Sequence, residues 1–272
     1  MNVDSGPDGG GSRDGELPPP CPDPDVVGDL VARDRRTGGL ALRAAVSGRS
    51  YSYRSFVTTA YKAGNVLRYL GVRAGDEVLV VPDAVPEPAL AFYGAAQLGA
   101  VTRFGGTVGE EPPRVVLAPT EQETAFDLPP GHHLAVHGGE PSDPSTTHWE
   151  SVVWGENPAV HPATVEPGDP LLVAGDRTYT HAELLAAASS VVTDANLRPG
   201  DAVMVRAPLS DPAVATAGLL APIAAGATVV LPDETSEEPP ETDAESVVVV
   251  AEGGTDAART IDPAAVPIPR PR

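Results

Sequence analysis

Three kinds of residue are nearly missing from this 272-residue chain. It holds one cysteine (Cys21), one lysine (Lys62), and only 4% aromatic residues. A single thiol excludes an internal disulfide framework and any cysteine-rich metal site. Its place in a Gly/Pro-rich N-terminus reads as incidental rather than nucleophilic. No run reaches the ~18 apolar residues that a membrane-spanning helix needs. The acidic, glycine-rich N-terminus also lacks the positive charge of a signal peptide, so a cytoplasmic protein is expected. Positive charge itself is scarce: 18 bases stand against 38 acids, a formal net charge of −20. Such a surface repels phosphate backbones and anionic membranes, which argues against nucleic-acid and membrane partners. The acids are spread along the chain. That favours adaptation to a salt-rich cytoplasm, where the screening length falls from ~10 Å at 0.1 M to ~3 Å at 1 M, over an acidic interaction protein. No Gly-x-Ser-x-Gly elbow and no HExxH pair is present.

What the chain does have is an ordered α/β pattern between two low-complexity ends. Residues 1–24 are dense in Gly, Pro and Asp and read as a disordered arm. Residues 25–232 read as the α/β domain. Residues 233–272 read as an acidic Pro/Glu linker, a short β-branched strand in SVVVVAEGG and a Pro-rich tail. Within the domain, residues 48–104 and 175–233 follow one order: short strand, helix, R-x-G-D turn, strand, helix ending in Gly-Ala, strand. The expected fold is therefore two repeated βαβ-type units, near 40–104 and 172–233, with largely parallel sheets. Phe56, Ala60, Ala63, Leu67 and Leu70 make one apolar helical stripe, and Leu184, Ala188, Val191 and Ala195 make the other. Thr180 with Glu183 reads as a capping box. In the connector, 114–119 and 132–138 read as strands and 147–155 as a short helix or turn.

Several candidate sites weaken on inspection. His132, His133 and His137 have no further ligand at a suitable spacing, and successive strand residues face opposite ways, so no metal ligand is assigned. Trp149 and Trp154 read as packing anchors. The Gly-rich stretch 105–109 is followed by Glu-Glu-Pro-Pro and opens no helix, so a phosphate role is not expected there.

The order of segments resembles the N-terminal part of the adenylate-forming (AMP-binding) superfamily, which includes acyl-CoA synthetases. The resemblance rests on Tyr51-Ser52-Tyr53, on Gly71 to Asp76, on Val78–Val81, on Ala95 to Ala100, and on Trp149 to Val153. It continues through Pro167-Gly168-Asp169-Pro170-Leu171-Leu172-Val173, Thr180-His181-Ala182-Glu183-Leu184 and residues 219–231. It covers residues 40–233. It implies an acyl-CoA ligase fold, with ATP or AMP and Mg²⁺ as cofactors only where the family's activity survives.

The sequence departs from the family at the chemistry. The family's Ser/Thr/Gly-rich phosphate loop ends in Pro-Lys-Gly, whereas only Gly175 to Tyr179 separate the strand from the helix cap here, with Asp176 in place of positive charge. The family's later adenine and ribose segments and its C-terminal lysine domain have no counterpart in the sequence, and Lys62 lies too early to replace that lysine. The resemblance leaves Gly175, Arg177, Thr178 and Thr180 as a remnant of the phosphate loop, with no catalytic residue assigned and no cofactor expected. The expectation is a degenerate acyl-CoA synthetase-like protein acting as a binding, regulatory or assembly module. The alternatives are half of a split ligase completed by another acyl-CoA synthetase-like chain, and a module that binds a small acyl or nucleotide ligand. Whether the chain is an enzyme stays open on sequence alone.

Overall fold

The computed structural model describes residues 16–21, 23–233, 244, 246–252 and 259–269. Two sheets carry the fold, one of seven strands and one of six among the described residues. The chain opens with the antiparallel hairpin β1 (Leu40–Ala44) and β2 (Arg49–Ser52), then α1 (Tyr53–Tyr69), β3 (Glu77–Val80), α2 (Pro86–Ala96) and β4 (Val101–Phe104). The connector supplies β5 (Val115–Pro119), β6 (His133–His137), β7 (Thr147–His148) and α3 (Trp149–Gly155). A second hairpin follows, β8 (Pro170–Ala174) and β9 (Arg177–Thr180), then α4 (His181–Asp194) and β10 (Ala202–Val205). The chain continues through α5 (Pro212–Ala215), a π-helical turn (Thr216–Leu220), α6 (Ala221–Ala225), β11 (Thr228–Leu231), β12 (Val247–Val250) and β13 (Thr260–Ile261). Strands and helices thus alternate in both stretches named from the sequence.

Local chemistry explains the elements. Every member of the α1 stripe is buried, from Phe56 to Leu70. Ser52 caps α1 by accepting from the Ser55 N–H, as Thr180 caps α4 through Glu183. The two R-x-G-D turns behave alike. Asp76 donates its N–H to the Arg73 carbonyl and accepts the Arg73 N–H on its carboxylate, and Asp201 does the same with Arg198. Gly75 and Gly200, at φ +82° and +91°, occupy the position where a type II turn demands a left-handed residue. Pro222 has no N–H for the Gly218 carbonyl one turn back, and the helix answers with its π-helical turn.

Each hairpin joins the other stretch's sheet. β1 pairs in parallel with β11, giving the order β13-β12-β10-β11-β1-β2. β8 pairs in parallel with β4, giving β7-β6-β5-β3-β4-β8-β9. Among the described residues, every pairing apart from the two antiparallel hairpins is parallel. Buried hydroxyls cross between the stretches: Tyr53 donates to the Ala227 carbonyl (2.6 Å) and Tyr93 to that of Leu219 (2.9 Å).

The ends are partly visible. Residues 1–15 of the expected arm lie outside the described residues. Residues 16–21 run along the fold, with the Cys21 N–H on the Ala224 carbonyl and the Gly39 N–H on that of Glu16. Buried Arg35 ties three segments together by donating to the carbonyls of Leu30, Pro19 and Ile223. The strand expected in SVVVVAEGG is β12, laid beside β10.

Candidate functional site

The residues Gly175 to Thr180, read from the sequence as a remnant of a phosphate loop, lie at the tip and second strand of the β8–β9 hairpin. Ala174 pairs with Arg177, so Gly175 and Asp176 alone form the turn. Gly175 stands at the first central position with φ +59°, as a two-residue II′ hairpin requires. Arg177 Nη2 lies 3.1 Å from Glu183 Oε1, and its guanidinium sits 4.9 Å from the centre of the Tyr179 ring. Thr178 is exposed and pairs with Val173. Thr180 Oγ1 accepts the Glu183 N–H, and Glu183 Oε2 accepts the Thr180 N–H, which closes the capping box. The four residues therefore lie within one hairpin and its helix cap, with Arg177 and Thr180 engaged by Glu183.

A cavity of about 500 Å³ opens beside this hairpin, lined by Ala174, Tyr179, Asp211, Pro212, Glu252 and Asp262 among others. Its charged groups are carboxylates. Asp211 and Asp262 each spend one oxygen capping a helical turn, on Ala213 and Ala264. A second cavity, about 410 Å³, lies between the carboxyl ends of β3 and β10, where Asp83, Arg206, Pro208 and Pro232 meet. In each sheet the chain leaves the first strand (β3 or β10) for one neighbour and later returns on the other side. The carboxyl edge beside such a reversal is where open α/β sheets hold ligands.

The remaining sequence candidates separate. Lys62 lies on α1 and donates to the Trp154 carbonyl (2.9 Å). Cys21 is half-buried, and burial pushes its thiol pKa up, away from reactivity. Trp149 is a core anchor at 1% exposure, but Trp154 is 86% exposed and anchors nothing. The short helix α3 cannot bury both, because residues five apart on a helix face different ways. His132 sets Nδ1 2.8 Å from the Pro113 carbonyl, whereas His137 is buried beside Glu87 and Glu150. Sequence reasoning passed over those two glutamates. Their separations from His137, 50 and 13 residues along the chain, match no short ligand motif.

No protein-family model matches the chain. It is similar to the anthranilate CoA ligase AuaEII, solved in complex with anthranoyl-AMP, with TM-score 0.65 and 22% identity over 77% of this chain and 44% of that one. It is similar to ATP-bound MatB from Rhodopseudomonas palustris, with TM-score 0.62 and 17% identity over 82% and 49%. It is also similar to the N-terminal domain of FACL13 from Mycobacterium tuberculosis, with TM-score 0.60 and 20% identity over 75% and 56%. The acetyl-coenzyme A synthetase of Deinococcus radiodurans is 42% identical over 60 residues, 21% of this chain and 9% of that enzyme. The chain thus has the fold of the N-terminal part of AMP-forming acyl- and aryl-CoA ligases. It spans about half the length of the solved ligases it matches, and far less of the synthetase.

Proposed function

We propose that this chain is a binding or assembly module built on the acyl-CoA ligase fold, and that its own residues do not adenylate carboxylic acids. One observation carries the reading: at the position where the sequence resemblance puts the family's phosphate loop, β8 and β9 are joined by the two-residue turn Gly175–Asp176. Adenylation needs ATP held in line with a carboxylate and the developing phosphate charge neutralised. ATP and Mg²⁺ do not fit the hairpin as built. A two-residue turn has too few free N–H groups to wrap a triphosphate, and Asp176 adds negative charge there. Arg177 is paired with Glu183, and Asp211, Glu252 and Asp262 line the adjacent cavity. Losing one charge-stabilising donor typically costs ~10²–10³ in rate, and this site lacks several.

A second reading has one observation in its favour. The retained fold covers about half of ligases solved with ATP or an acyl-adenylate, so an acyl-CoA synthetase-like partner chain could complete the site. Carboxylate-dependent pyrophosphate exchange at molar KCl, with acetate, medium-chain and aromatic acids, tests both. The chain alone is expected to match a no-protein control. Exchange that Arg177→Ala abolishes overturns the proposal, and exchange that appears only with a second purified protein establishes the split ligase.

A further inference from the structure

Glu87, His137 and Glu150 come from three separate elements and meet at one edge of the seven-stranded sheet. Glu87 lies in the first turn of α2, just past β3; His137 ends β6; Glu150 lies in the first turn of α3. One donor atom from each falls within 4.8 Å of the other two. Glu87 and His137 are each 2% exposed. We propose that these three residues form a binding site for a divalent transition-metal ion such as Zn²⁺, independent of the ligase-derived reading above.

The polar atoms of the cluster are short of partners. Among the described residues, His137 Nε2 is buried with no hydrogen bond, and so is Glu150 Oε2, with His148 Nε2 at 3.6 Å. Burying an imidazole nitrogen and a carboxylate oxygen without partners costs desolvation that nothing returns, and a cation between them removes that cost.

The surrounding groups orient the donors as outer-sphere partners do in metal sites. The Gly138 N–H donates to Glu150 Oε1 (2.7 Å), leaving Oε2 to the cluster. The Thr120 hydroxyl donates to the His137 carbonyl (2.8 Å), fixing the end of β6. Arg49 Nη1 donates to Glu87 Oε1, and Arg49 in turn bonds the Tyr51 hydroxyl. Two carboxylates against one guanidinium leave a net charge of about −1 around a neutral imidazole, which favours a dication.

The donor set narrows the ion. One nitrogen and two oxygens suit Zn²⁺, Co²⁺ or Mn²⁺, whereas Mg²⁺ and Ca²⁺ prefer oxygen alone. Tetrahedral zinc with bonds of about 2.1 Å sets its ligands about 3.4 Å apart, so the three donors would draw in by about 1.4 Å at most. Glu87 and Glu150 also line a groove of about 510 Å³, with Tyr51, Leu90, Trp149 and Trp154, and this groove supplies a path from solvent. His133 does not belong to the set: it lies four residues up the same strand, about 13 Å away.

The full chain, treated with chelator and held in 1 M KCl to suppress weak binding by its acidic surface, is titrated with Zn²⁺ by calorimetry and with Co²⁺ by visible absorption. One equivalent is expected to bind, with the intense visible bands of a low-symmetry Co²⁺ site. Glu150→Gln, which keeps the Gly138 contact, and His137→Ala are each expected to weaken binding at least ~10-fold, while His133→Ala binds as the parent does. Circular dichroism melts identify any variant that fails to fold, and Glu87→Gln then replaces it. No saturable binding by the parent overturns the proposal. So does unchanged affinity in folded variants at 137 and 150.

Discussion

His181 Nδ1 accepts the Val27 N–H at 3.1 Å, and neither residue is exposed. The bond ties the first residue of α4 to the N-terminal segment, and only a ring with an unprotonated Nδ1 makes it. Burial holds the His181 pKa down at about 4, with Asp169 and Asp29 pulling the other way. His161, stacked on Tyr61, is also held to about 4, by burial first and then by Arg68 and Arg33. Unfolding returns both rings to about 6.5, so the unfolded chain binds more protons between those values. Stability is then fully present above pH 6.5 and falls as pH drops toward 4. The slope reaches at most about 1.4 kcal/mol per pH unit for His181. Urea melts at pH 7, 6 and 5 should show the fall. His181→Asn, whose Oδ1 can accept the same N–H without titrating, should make the slope shallower and leave the His161 share; an equal slope in that variant would remove His181 from the account.

Helices α1 and α2 cross at Gly64 and Gly94. A Cβ on residue 94 would lie 2.6 Å from the Gly64 nitrogen and 3.0 Å from the Ala63 carbonyl carbon, both backbone atoms. Neither can yield unless the helices separate. Gly94→Ala should therefore destabilise by about 2–3 kcal/mol, read as a Tm lower by roughly 5–10 °C. Gly168→Ala, where a Cβ meets nothing within 4 Å, should leave Tm within about a degree or raise it slightly. A tolerated alanine at 94 would mean the helix pair is looser than its geometry.

The formal charge of −20 predicts a salt response. Self-repulsion opposes compaction when unscreened, and 1 M salt shortens its range to about 3 Å. Tm should rise steadily between 0.1 and 2 M KCl. A flat profile would count against adaptation to a salt-rich cytoplasm and leave the acids to another purpose.

The local parts of this fold were legible because local chemistry decides them. The α1 stripe is buried as its spacing required, the Thr180–Glu183 box is formed, and both R-x-G-D turns close as Gly and Asp dictate. What stayed hidden is long-range. Nothing in residues 40–52 says that β1 will lie beside β11 rather than beside β3 or β4, because a short strand of mixed burial carries no address. Trp154 and Trp149 look alike in sequence and differ only by the turn of α3. Glu87, His137 and Glu150 sit in unremarkable sequence contexts, and only the parallel stacking of β3, β5 and β6 brings the ends of their elements together.

The exchange of hairpins gives the last prediction. Split after Ala163, in an exposed connector, the chain gives one fragment with β1–β7 and another with β8–β13. In the first, β1 has lost β11 and β4 has lost β8; in the second, the same edges are bare from the other side. The first fragment also holds buried donors without acceptors, since Tyr53, Tyr93 and Arg35 spend theirs on Ala227, Leu219 and Ile223. An unmet buried donor costs about 1–3 kcal/mol, and three together rival the 5–15 kcal/mol that holds a domain folded. Open strand edges add a tendency to aggregate. Neither fragment alone should therefore melt cooperatively in circular dichroism. Mixed in equal amounts at molar KCl, the two should recover helical signal and a cooperative melt, and sediment as a 1:1 complex. A fragment that melts cooperatively by itself, with the second adding nothing, would show that each stretch closes its own sheet in solution and that the exchanged pairings contribute little to stability.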